Sequence, residues 1–184
     1  MSNRKHKIKQ VLLQTVWFLL LFQSAFAQLH PVANESRVGF TIHNFGFKTG
    51  GTLAAPEGDI LFDPDNLSGS SFNVSIKSES INTDNESRDK HLREADYFDS
   101  KDYPQIRFKS SSIIAGNKAS NYEAVGMLTI KKKSREIRLP FSAEKKEQGW
   151  LFRGRFTMNR RDYDVGGGST ISNELTIDIK VLAR

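Results

Sequence analysis

No cysteine occurs in the 184 residues, which excludes disulfides, thiolate metal sites, a thiol nucleophile and a lipidated cysteine anchor. Histidine is scarce, with His6, His30, His43 and His91 the full set. A metal centre needs several converging ligands, and the chain has neither HxxxH nor HExxH, so no metal site is expected. No serine stands in a G-x-S-x-G elbow. The glycine run Gly166–Gly168 is not followed by the Lys-Ser/Thr of a phosphate loop, so no catalytic residue and no cofactor is expected. Long apolar runs are missing too. The one candidate, 11–22, is interrupted by Gln14 and Thr15 and is too short to span a bilayer comfortably.

That short run is better read as a targeting segment. Arg4, Lys5, Lys7 and Lys9 precede it, and Ala25-Phe26-Ala27 follows as an A-x-A cleavage site. Residues 1–27 therefore read as a signal peptide with cleavage after Ala27, and 28–184 as one soluble domain. The leader holds four of the 27 basic residues and none of the 21 acidic ones, which leaves 23 against 21. A mature net charge of about +2 removes the basis for a nucleic-acid partner.

The remaining chain alternates apolar and polar residues in short runs. Val38-Phe40-Ile42, Phe72-Val74-Ile76, Ile137-Leu139-Phe141 and Leu175-Ile177-Ile179-Val181 all keep the period of two expected of half-buried strands. Turn residues separate them: His43-Asn44-Phe45-Gly46, Asp63-Pro64-Asp65-Asn66, Ala115-Gly116-Asn117 and the charged tip Lys131-Lys132-Lys133-Ser134. The reading is all-β, with about eight antiparallel strands. Strand pattern alone leaves a sandwich and an up-and-down barrel both open, although long strands broken by glycines such as Gly50-Gly51 lean towards a barrel.

One segment departs from this rhythm. Ser80–Phe108 contains a helix expected at about 84–95, with Thr83 and Glu86 spaced as a capping box. Arg88, His91, Leu92 and Ala95 fall on one face, expected to point inward, and Asp89 mostly on the other. An aromatic pair, Tyr97-Phe98, and then Tyr103-Pro104 follow. The pattern Ser80-Ile81-x-Thr83-x-Asn85, Arg88-Asp89-x-His91-Leu92, Tyr97-Phe98-Asp99 and Tyr103-Pro104-x-Ile106-x-Phe108 resembles the central signature of the YceI-like family. IHNFG at 42–46, GMLTIKKKSREIRLPF at 126–141 and the Arg160-Arg161-Asp162-Tyr163 element extend the resemblance over most of the mature chain. It implies an extended lipocalin-like β-barrel, a periplasmic location and a polyisoprenoid or related long-chain lipid as ligand. It leaves room for transient membrane contact and for a homodimer.

The inward-facing positions carry no charge. They are Phe40, Ile42, Phe62, Phe72, Val74, Ile76, Ile106, Phe108, Leu139, Phe141, Phe152, Phe156, Met158, Ile177 and Ile179, joined by Phe98 after the helix. Periodicity alone leaves a solid core and a lipid-filled cavity both open. Gly154 on the inner face favours the cavity, because it omits a side chain where a filled core would want one. On that reading these residues line the lipid site, while His43, Phe45, Arg88, Asp89, His91 and Leu92 belong to the cavity mouth or the helix. Two alternatives stand beside it: an enzyme acting on such a lipid with His91 and Asp89 as acid and base, and a solid-core structural or adhesion domain.

Overall fold

The computed structural model describes residues 28–168 and 171–184. The expected signal peptide at 1–27 lies outside the described residues. Ten strands form one antiparallel sheet: β1 (Gln28–Leu29), β2 (Arg37–Asn44), β3 (Phe47–Leu53), β4 (Glu57–Leu61), β5 (Ser71–Lys77), β6 (Gln105–Ala115), β7 (Asn121–Ile130), β8 (Lys133–Lys146), β9 (Gly149–Asn159) and β10 (Ile171–Ala183). The helix α1 spans Glu86–Arg93 between β5 and β6. The strand count exceeds the eight expected partly because β1 has only two residues, a length at which alternation carries no signal. Among the described residues no helix is long and apolar enough to cross a membrane.

The strand order is β1-β4-β5-β6-β7-β8-β9-β10-β2-β3, so the sheet curls into a lipocalin-like half-barrel with β1 and β3 at its edges. Two short seams draw the edges together. At one end the N-terminal segment pairs with β4 through Gln28 and Leu29, then bonds to the last strand: His30 N donates to Arg184 O at 2.8 Å and Val32 N to Leu182 O at 2.8 Å. At the other end Thr52 and Asn82 exchange two backbone bonds of 2.8 and 2.9 Å. Gly51 is required beside this seam. A Cβ there would stand 2.6 Å from Asn82 O and 2.7 Å from the ring of its cross-strand partner Phe40, which lies over the bare backbone.

The core is densest near the N-terminal seam. Phe62 sits at the hub of an edge-to-face cluster, 5.1 Å from Tyr122, 5.1 Å from Trp150, 5.3 Å from Phe152 and 6.0 Å from Phe141. Such ring pairs add about 0.5–1.5 kcal/mol each beyond the area they bury. Leu29, Ile60, Ala124, Ala143 and Ala183 pack around them. A second, smaller cluster at the helix end joins Leu128, Ile130, Tyr163 and Val165 to Tyr97, Phe98 and Ile106.

Helix α1 differs from its expected form in its cap and in its buried face. Asn85 is the N-cap, its side chain accepting from Arg88 N at 2.9 Å, and Asp84 precedes it with φ at 56°. Thr83 is spoken for elsewhere. Its backbone N–H and its hydroxyl both donate to Asp89 Oδ1, at 2.9 and 2.5 Å. Asp89 is therefore the one buried residue of the helix, while Arg88 and His91 are exposed. A carboxylate that accepts buried donors gains more by turning in than helical periodicity of apolar residues can indicate.

Candidate functional site: an apolar cavity along the barrel

Inside the half-barrel lies a cavity of about 270 Å³, lined almost wholly by carbon. Its wall runs along β10 from Ile171 to Val181, roughly 30 Å at about 3.3 Å per residue. The alternation explains the lining. Val38, Phe40, Ile42 and Asn44 of β2 turn inward together, as do Ile177 and Ile179 opposite Phe40 and Val38. Phe72, Phe141 and Phe152 floor the cavity where the aromatic cluster begins. At the other end Arg88, Leu92, Tyr97 and Phe98 close over it from α1 and the turn that follows.

The inward positions expected from sequence line this cavity, with one exception. Phe62 does not reach it; four aromatic neighbours surround it below the floor. Alternation assigned its face correctly but says nothing about height along the barrel. The group expected at the mouth divides. Arg88 and Leu92 line the cavity, whereas His43 faces outward on β2 and His91 is exposed, its ring edge-on to Tyr97 at 4.8 Å. Phe45 is exposed at the β2–β3 turn, and the bend is confined to Phe45-Gly46 because His43 and Asn44 remain in the strand.

Gly154 does line the cavity, and the wall there is tight. A Cβ would stand 3.0 Å from Pro140 O and 3.7 Å from Phe141 Cβ, so the glycine lets β8 and β9 approach as well as leaving room inside. Other lining residues were missed from sequence. Val38, Leu175 and Val181 extend strand alternations already read and could have been found by continuing them. Ile81, Tyr97 and Val165 come from loops, where no period exists to follow.

Arg160 is the least expected of these. It borders the cavity and is 6% exposed. Its guanidinium donates to four carbonyls: Ser172 O at 3.0 Å, Val165 O at 2.7 Å, and Gly167 O and Ile171 O at 3.2 Å. Burial, and then the neighbouring Arg161, lower its pKa from the ordinary arginine value. The carbonyl dipoles hold the charge while the loop before β10 is pinned to the barrel. Asp164 ends the preceding 3-10 turn in the left-handed region, at φ 54°. Tyr163, buried beside it, has its phenol pushed up to about 12, first by desolvation and then by Asp162.

Acid–base chemistry finds little purchase. Asp89 is committed to Thr83, and no hydrogen bond joins it to His91 among the described residues. Arg88 completes the same knot, donating to Thr83 Oγ1 at 2.8 Å and to Thr83 O at 2.7 Å. Among the described residues no cluster of three or more His, Asp or Glu is arranged to hold a metal.

Comparison with known proteins places this architecture. The YceI-like domain model matches residues 29–183. Protein YceI of Escherichia coli O157:H7 is 34% identical over 112 residues, which cover 58% of this chain and 59% of that protein. The chain thus spans about three-fifths of the length of this relative. The crystal structure of BcnA from Burkholderia cenocepacia superposes with a TM-score of 0.77 at 25% identity, covering 82% of this chain and 98% of the other. A polyisoprenoid binding domain from Saccharophagus degradans shares the fold, with a TM-score of 0.70 at 12% identity over 85% of this chain and 97% of its own. With the signature around α1, the ten-stranded half-barrel and a family match over nearly all the described residues, the chain belongs to the YceI-like family.

Proposed function

We propose that the chain binds a long-chain isoprenoid or similar lipid in the barrel and carries or sequesters it without making or breaking a bond. The observation that carries this reading is the lining: a continuous, charge-poor wall of Phe, Ile, Leu, Val and Met along roughly 30 Å of strand. Such a surface offers burial and almost no hydrogen bonding, which suits hydrocarbon. Each CH₂ moved out of water contributes about 0.8 kcal/mol, so a chain of many isoprene units gains enough to offset its lost rotational freedom. The polyisoprenoid binding domain that shares this fold supports the same ligand class. A catalytic role is disfavoured because Asp89, the carboxylate that an acid–base pair with His91 would use, already accepts two hydrogen bonds from Thr83.

We further propose that residues 1–27 act as a cleaved leader that directs this activity to the periplasm of a two-membrane bacterium, with Gln28 as the first mature residue. Native mass spectrometry of the exported protein, followed by solvent extraction, tests both statements. The expected result is a mature mass starting at Gln28 with a stoichiometric adduct that extracts as a prenyl lipid. A protein that leaves the cell empty and takes up no added prenyl lipid would overturn the reading.

A further inference from the structure

The β2–β3 hairpin exposes two phenylalanines at its tip. Phe45 is 71% and Phe47 77% exposed, against 42% for Ile114 and 46% for Met127, the other large apolar residues exposed among the described residues. The two-residue turn Phe45-Gly46 has positive φ at both positions, 50° and 81°, as the twist of a tight hairpin demands. Asparagine or glycine accepts that conformation readily, and a bulky aromatic residue does not. Phe45 is held in an unfavourable backbone region and stands largely in water, where packing against the described residues repays little of the cost. A cost without an internal return is best explained by an external contact.

The position of the tip indicates which contact. Asn44 pairs with Phe47 and Ile42 with Thr49, so Phe47 stands opposite Asn44 in the inward-facing row, one step beyond Thr49, and both Asn44 and Thr49 line the cavity. The tip is therefore the lip of the cavity. Beside it β3 is an edge strand, and its nearest seam to the rest of the barrel is the Thr52–Asn82 bridge. On the outer face His43 and Lys48 stand opposite each other, and Lys48 has no acidic partner among the described residues. Two aromatic side chains with a lysine one residue behind match what settles into the headgroup boundary of a bilayer. A two-residue tip is too small for a stable protein interface, which takes roughly 800 Å² per partner.

We infer that Phe45 and Phe47 dock the cavity mouth on a phospholipid bilayer, so that the hydrocarbon ligand passes between membrane and barrel without crossing water. This rests on the lipid-carrier reading above, and the test separates the two. Wild-type protein and the Phe45→Asn/Phe47→Thr variant are compared in flotation with phosphatidylethanolamine–phosphatidylglycerol vesicles, and in uptake of a polyprenyl lipid from those vesicles and from detergent. Asparagine suits the left-handed turn position better than phenylalanine, so the variant keeps its hairpin.

The expected result is that flotation is lost and uptake from vesicles slows roughly tenfold or more, while equilibrium uptake from detergent stays within about twofold of wild type. Equal vesicle uptake and flotation by both proteins would overturn the docking inference and leave the carrier reading standing. A concentration-dependent dimer abolished by the variant, with no vesicle binding by wild type, would overturn it in favour of a second copy at the tip. If neither protein takes up lipid from detergent, the carrier reading falls, and flotation alone then decides the docking surface: loss in the variant upholds it and equal flotation refutes it.

Discussion

The two ends of the barrel are built from the same alternating strands and do opposite things with them. Around Phe62 five aromatic rings meet edge to face, small residues such as Ala124 and Ala143 fill the gaps, and the interior is solid. Towards α1 the inward side chains stand back from one another and leave a cavity, roofed by a helix whose single buried residue is a carboxylate. Stability is concentrated where rings touch rings. Cavity volume is found where the wall is bordered by polar ties at Thr83 and Arg160.

The largest effect should come from emptying the solid end. Phe62→Ala removes the hub of the cluster and is expected to cost about 3–5 kcal/mol in urea denaturation. Leaving lipid binding measurable in the folded fraction would confirm that Phe62 lies below the site. Next comes the tie at the open end. Arg160→Met leaves four carbonyls without their donor, and about 2–4 kcal/mol should be lost by the same assay. A loss below about 1 kcal/mol would mean that water replaces the guanidinium there.

Tyr163 gives the open end a pH signature. Tyr163 is 2% exposed and its phenol is pushed up to about 12, whereas in the unfolded chain it ionises near the ordinary tyrosine value of 10.0. The contribution of the neutral buried form is whole below pH 10 and is lost as pH rises through 12, because only the unfolded state gains from ionising early. About 2–3 kcal/mol should disappear over that window, and Tyr163→Phe should flatten the loss. A stability curve identical in the two proteins between pH 10 and 12 would refute it.

The finest contrast compares one enlargement at each end. Ala124→Leu, in the solid cluster with no exposed surface, should cost about 1–3 kcal/mol through overpacking. Ile177→Phe, into the cavity, should change stability by less than about 1 kcal/mol and weaken lipid uptake roughly tenfold by occupying the ligand's space. Equal costs at both sites would indicate that the cavity collapses when it is empty.

Much of this was legible in the residues. The phase of β2, β5, β8, β9 and β10 followed from alternation because successive Cβ atoms must point to opposite faces. The helix stood out because its period changed. The errors share a cause as well. Asp89 was assigned to the wrong face because its placement depends on Thr83, a residue outside the helix, and Phe62 was misplaced because face and height are independent. The four carbonyls around Arg160 come from the loop at Val165 and Gly167 and from the start of β10 at Ile171 and Ser172, a convergence that no periodicity announces.

The amino-acid sequence by itself determined the strands, the side each residue faces, the all-β class and the family signature, since these depend on backbone stereochemistry and near neighbours. Whether the apolar faces meet or stand apart was decided only by the tertiary structure. The distance between opposite walls depends on strand number, tilt and the seams at Gln28–Val32 and Thr52–Asn82, which join residues far apart in the chain. The same alternating code therefore makes a packed core at one end and a cavity at the other.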